Sequence, residues 1–187
     1  MTRRTRVVLS GAIAVAVAGL LAAGAVHLAG SGSGGLPVVG QVIAAAQRPL
    51  APDISGTTLT GGHLDIAGWR GHTVVLNFWG SWCVPCRKEG PVLARVARET
   101  RFLGVRFAGV DIREDPSAGL AFERSYRIPY PSISDPGDII AARFGTKAPV
   151  ATPSTYILDG HGRIAWAWFG ATTYSQLELA VTGVAGP

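Results

Sequence analysis

Hydrophobic and polar positions along this chain fall into blocks whose period changes in a regular way. Residues 73–79 (TVVLNFW) form an almost unbroken apolar, β-branched and aromatic run, which predicts a strand buried on both faces. Residues 86–102 instead place Val92, Leu93, Val96 and Phe102 at helical spacing. A second buried strand is predicted at 105–112, then a helix at 117–126 after Asp115-Pro116 and a shorter one at 138–144. Two hairpins are expected. One pairs 57–59 with 63–66 around Thr60-Gly61-Gly62, and the other pairs 154–158 with 163–169 around Asp159-Gly160-His161-Gly162. A closing helix covers 173–181. Strands interleaved with helices in this order predict an α/β fold with a central mixed sheet flanked by helices.

Before this alternation begins the pattern is different. Residues 7–30 carry no formal charge, and Arg3, Arg4 and Arg6 stand in front of them with no acid. As a helix that run would be about 36 Å long, against a bilayer core of roughly 30 Å. It is read as a signal-anchor, with residues 1–30 placing the rest of the chain outside a cell membrane. The alternative is a cleaved signal and a secreted protein, because the run is rich in Ala and Gly and Ala23-Gly24-Ala25 resembles a cleavage site. Ser31-Gly32-Ser33-Gly34-Gly35 opens a flexible linker expected over 31–52, and the folded domain is expected over 53–187.

Composition changes the picture once this leader is set aside. The 187 residues carry 17 Lys and Arg against 12 Asp and Glu, a net charge of +5. Arg3, Arg4, Arg6 and Arg48 all precede the first acid, Asp53, so the body is near +1. Its arginines are scattered, without a basic run or interleaved aromatics, and a nucleic-acid partner is not expected. A chain of this length buries enough core to fold without crosslinks, and two cysteines make neither a disulfide scaffold nor a complete zinc site.

Those cysteines carry the candidate chemistry. Cys83 and Cys86 stand in Trp82-Cys83-Val84-Pro85-Cys86, directly after the buried strand and at the start of a helix. Two thiols three apart on one helical turn can close a small disulfide ring. The free N–H groups and positive dipole of a helix N-terminus lower a thiol pKa. Cys83 is expected to be the more exposed, attacking member and Cys86 the shielded, resolving one. A purely structural bridge at i, i+3 would close a tiny loop and stabilise little. Half a metal site is not favoured, since His27, His63, His72 and His161 do not cluster in sequence. Covalent haem attachment needs His after the second Cys, where Arg87 stands. A peroxidatic cysteine would want a hydroxyl-bearing context and no nearby partner thiol. A redox-active dithiol is the reading that remains.

With these residues in view, the segment NFWGSWCVPCRKEGP at 77–91 resembles the active-site strand and helix of the thioredoxin superfamily. It is most similar to the TlpA/ResA/CcmG group of membrane-tethered thiol–disulfide oxidoreductases, over roughly residues 50–185. The resemblance implies a thioredoxin-like fold with an N-terminal hairpin and a central insertion, near 113–150, that holds a helix and a strand. Pro91 matches the proline inside the active-site helix. Thr152-Pro153 matches the cis-proline that faces the dithiol, so that Thr152, Pro153, Trp82 and Pro85 would line the substrate groove. The cis-proline would also keep metal away from the thiols. Asn77 stands where many thioredoxins have a buried Asp, and Glu89, three residues after Cys86, matches the acid of the ResA-like pattern. Glu89 is therefore expected to handle the Cys86 proton. The group implies no cofactor and no metal. It implies a monomer with protein disulfides or thiols as substrates, apocytochromes c among them, and re-reduction by a membrane thiol reductant of the CcdA/DsbD type. The same motif can run in the oxidising direction. Rivals are a binding module with a relict dithiol and a copper-handling chaperone of the same fold, whose thiols are spaced more widely.

Overall fold

A computed structural model describes residues 39–186 of the protein. At its centre lies β3 (Val74–Trp79), six consecutive buried residues. Their apolar character on both faces suits a strand with neighbours on both sides and helices above and below. It pairs in parallel with β4 (Arg106–Ile112) and antiparallel with β6 (Ser154–Leu158). With β5 (Ser132–Asp135) beyond β4 and β7 (Ile164–Phe169) beyond β6, the strand order is β5-β4-β3-β6-β7. The expected mixed α/β sheet is therefore present. The parallel strands are joined by α1 (Val84–Glu99) and α2 (Pro116–Tyr126). A short α3 (Ile139–Arg143) follows β5, and α4 (Tyr174–Ala185) closes the chain.

Alternation along the strands builds two cores. Leu76 and Phe78 join Val110, Ile112, Tyr156 and Phe144 on one face. Val75, Phe107, Ile157 and Trp166 meet Leu93 and Val96 of α1, with Leu177 and Val181 of α4, on the other. Each large apolar side chain fully withdrawn from water contributes about 1.5–3 kcal/mol. Asn77 and Trp79 share the second face with Val75 by strand period, so β3 aims a polar group at the underside of α1.

Several boundaries differ from the sequence expectation. Helix α1 stops at Glu99, and a 3-10 turn at Arg101–Leu103 follows, closed by Gly104 at φ 72°. That tighter turn has three residues rather than 3.6 and moves Phe102 off the apolar stripe; the ring is 84% exposed. The first hairpin pairs β1 (Ser55–Thr57) with β2 (His63–Asp65) and begins to turn at Thr58, whose N–H donates to Gly62 O. Leu59 consequently lies in the turn and reaches a small cluster with Trp79, Cys83, Cys86 and Phe122. The described part of the segment expected as linker, residues 39–52, runs along β7. Gly40 N donates to Ala167 O and Ile43 N to Ala165 O, both at 2.8 Å, and Ile43 is part of the core. It covers an edge that would otherwise be open to pairing.

The expected location at a cell membrane is corrected. No helix among the described residues is long and apolar enough to cross a membrane. A span needs about 20 predominantly apolar residues, whereas α1 has 16 and includes Arg87, Lys88 and Glu89. The segment 7–30 that motivated the expectation lies outside the described residues.

Candidate active site

The buried strand β3 ends at Trp79, and Gly80, Ser81 and Trp82 lead into the first turn of α1. Cys83 is the N-cap residue, and its sulfur accepts a hydrogen bond from Cys86 N at 3.2 Å. Pro85 falls in the first helical turn, where its missing N–H costs nothing. Cys83 and Cys86 form a disulfide with their Cα atoms 5.2 Å apart. The sulfur of Cys83 lies 3.4 Å from Thr152 O, and the Thr152–Pro153 bond is cis. The segment before β6 therefore faces the dithiol across a narrow gap. Both cysteines are buried, Cys83 at 4% and Cys86 at 2% exposure. The expected contrast in accessibility is small in this oxidised form because Leu59, Trp79 and Phe122 pack around both. Trp82 stays outside at the rim, its Nε1 donating to Ile112 O at 3.2 Å.

Glu89 is only 1% exposed. Its Oε1 accepts from Thr172 N at 2.8 Å and Thr172 Oγ1 at 2.7 Å, and Oε2 accepts from Asn77 Nδ2 at 3.2 Å. Asn77 Nδ2 also donates to Thr155 Oγ1 at 2.9 Å. Burial raises the Glu89 carboxyl above the ordinary glutamate range, while the bonds from Thr172 and Asn77 oppose that rise. Among the described residues no hydrogen bond joins Glu89 to Cys86. The two are helix neighbours at i, i+3, about 5–6 Å apart at Cβ. Asn77 and Cys86 both line a closed cavity of about 10 Å³ with Trp79, Gly90, Leu93 and Tyr130. That is on the order of one water molecule. Asn77, expected only as the loss of a buried Asp, is here a donor that fixes the Glu89 carboxylate.

Three further charged groups hold the loop before Cys83, and sequence spacing gave no sign of them. Glu114 accepts from Ser81 N at 2.5 Å and from Ser81 Oγ. Arg87 Nε donates to Ser81 O at 2.9 Å. Asp111 sits beside Trp79 in the parallel register of β3 and β4, fully buried and with no hydrogen-bond partner for either oxygen among the described residues. Burial, with Glu114 and Glu123 nearby, pushes its carboxyl up to about 9. Only that register brings these acids behind the dithiol.

The Asp111 environment predicts a pH-dependent stability. Its folded pKa of about 9 exceeds an unfolded value near 3.9. Folding is favoured most while both states hold the proton and loses ground as pH rises from about 4 towards 9. Asp111→Asn cannot ionise, so its melting temperature is expected to exceed that of wild type by about 3 °C at pH 8. The gap should shrink as pH falls to 5; a gap equal at both pH values would contradict the assignment.

Residues 49–167 match the family model described as AhpC/TSA family. Among curated proteins, the chain is 30% identical over 128 residues to the thiol–disulfide oxidoreductase ResA of Bacillus thuringiensis, covering 68% of this chain and 72% of that one. Among solved structures, a DsbF homologue from Corynebacterium diphtheriae superposes with a TM-score of 0.71 at 28% identity, over 76% of this chain and 91% of that one. A secreted thiol–disulfide isomerase from Corynebacterium glutamicum gives a TM-score of 0.73 at 27% identity, over 78% and 90%.

Proposed function

This chain belongs to the AhpC/TSA family, as a thioredoxin-like thiol–disulfide oxidoreductase of the TlpA/ResA/CcmG group, and from that premise we propose that it works as a reductant of partner-protein disulfides. The Cys83 thiolate attacks one sulfur of the substrate disulfide, forming a mixed disulfide and expelling the other substrate sulfur as a thiolate that takes up a proton. Cys86, deprotonated, then attacks Cys83 Sγ, releases the second substrate thiol and closes the Cys83–Cys86 bridge. Two electrons pass to the substrate, and an upstream dithiol donor returns them to the enzyme. Thr152 and Pro153, with Trp82 and Pro85 at the rim, form the groove in which an extended substrate segment adds alongside Thr152. Apocytochromes c before haem attachment are substrates of the kind the family resemblance suggests.

The observation that carries the reducing direction is the burial of Glu89 one turn from Cys86. A thiolate on Cys86 and a carboxylate on Glu89 cannot both develop cheaply in a medium of low dielectric. The reduced pair is therefore not held as a stabilised thiolate, and stabilising the reduced form is what makes a dithiol oxidising. The helix N-terminus and the Cys86 N–H pull the other way, by lowering the Cys83 thiol pKa. Equilibration of the Cys83–Cys86 pair against glutathione or dithiothreitol decides between them. A potential near or below about −270 mV supports the reductant, and one near about −120 mV assigns the oxidising direction instead.

A further inference from the structure

The opening at the dithiol carries a charge that thiol–disulfide exchange by itself does not require. Arg113 follows β4 directly and adopts a left-handed backbone with φ 58°. Its Nε lies 3.0 Å from Asp138 Oδ2, and its Nη2 donates to Thr152 Oγ1 at 3.0 Å. The guanidinium carbon stands 5.2 Å from the centroid of the Trp82 ring. Trp82 precedes Cys83, and Thr152 O lies 3.4 Å from Cys83 Sγ, so one cation touches both walls of the opening. The side chain is 52% exposed, and Nη1 has no partner among the described residues.

The surrounding charges leave that edge available. Asp138 occupies the Nε side. The Glu114 carboxylate is turned inward onto Ser81 N and Oγ. Across the loop, the exposed Arg87 donates to Ser81 O and adds a second cation at the rim. From Thr152 a groove of about 380 Å³ runs between α3 and the following loop, walled by Ala141, Ala148, Pro149 and Val150, and Arg113 stands at its mouth. An extended chain leaving Cys83 along this groove passes the free guanidinium edge. A planar fork of donors is suited to carboxylates.

We propose that Arg113 is a specificity-determining residue, binding through its free edge an Asp or Glu next to the attacked cysteine of the substrate. The inference rests on the thiol–disulfide reading above, and the experiment separates the two. Two synthetic peptides, each closed by one disulfide and identical except for Glu or Lys beside the attacked cysteine, serve as substrates for the pre-reduced full-length protein. Wild type should reduce the Glu peptide with a kcat/KM about five-fold higher than the Lys peptide at low salt. Arg113→Lys should keep most of that ratio, Arg113→Gln should lose most of it, and Arg113→Glu should invert it. Added salt should bring the wild-type ratio towards one. The same ratio in wild type, Arg113→Gln and Arg113→Glu, with both peptides still reduced, overturns the role of Arg113. Failure of wild type to reduce either peptide overturns the thiol–disulfide reading, and this inference with it.

Discussion

Cys83→Ser is expected to abolish reduction of protein disulfides, lowering insulin turnover by at least about three orders of magnitude. The reason is positional as much as chemical. Cys83 is the N-cap of α1 and the sulfur that faces the Thr152 carbonyl across the gap, so no other group in the site can form the first bond to substrate. Cys86→Ser should behave differently. The first attack remains possible, the resolving thiol is gone, and the variant should accumulate one covalently attached substrate per protein, visible by mass spectrometry under non-reducing conditions. Both variants should stay folded, because the bridge closes a loop of sequence separation 3 and such short loops add little to stability. Full turnover by Cys83→Ser would make the dithiol a relict and the protein a binding module.

The second large effect concerns the buried carboxyl. Glu89→Gln is expected to slow resolution of the mixed disulfide by about 100-fold, the lower range for loss of a positioned proton acceptor. The pH profile identifies the cause. Burial raises the Glu89 pKa, so the group still holds its proton at a pH where a surface glutamate has lost it. If its carboxylate draws the proton from Cys86, the wild-type rate climbs as Glu89 ionises. In Glu89→Gln that limb vanishes, leaving only thiol ionisation near about 8.5. Thr172→Ala provides an independent check. It removes both Thr172 side-chain support and part of what holds the carboxylate ionised, so the limb should move to higher pH rather than disappear. Rates and profiles unchanged in both variants would leave Glu89 as a packing residue.

What could be read along the chain and what could not divides by range. The run at 73–79 announced β3 because a strand covered on both faces must be apolar throughout. Cys83 and Cys86 announced a dithiol because their spacing, the preceding strand and the following helix are all local. The strand β5 was not visible by itself: Ser132-Ile133-Ser134-Asp135 is half polar, and it becomes a strand by pairing with β4. Phe102 was misplaced because the switch from α-helix to a 3-10 turn leaves no mark in apolar spacing. The segment 39–52 reads as linker by composition, yet its backbone groups find partners on β7.

Sequence by itself determined the fold class, the reactive pair and Glu89 as its companion, since periodicity and i, i+3 spacing act over one or two helical turns. Tertiary structure alone decided that Glu89 is clamped by Thr172 and Asn77, that Asp111 and Glu114 stand behind the dithiol, and that Arg113 spans its two walls. Those arrangements depend on strand register and on loops that meet across the sheet. A nearly neutral domain can therefore gather Arg87 and Arg113 around its active site, because the sign of a surface is set by which residues the fold brings together, not by their sum.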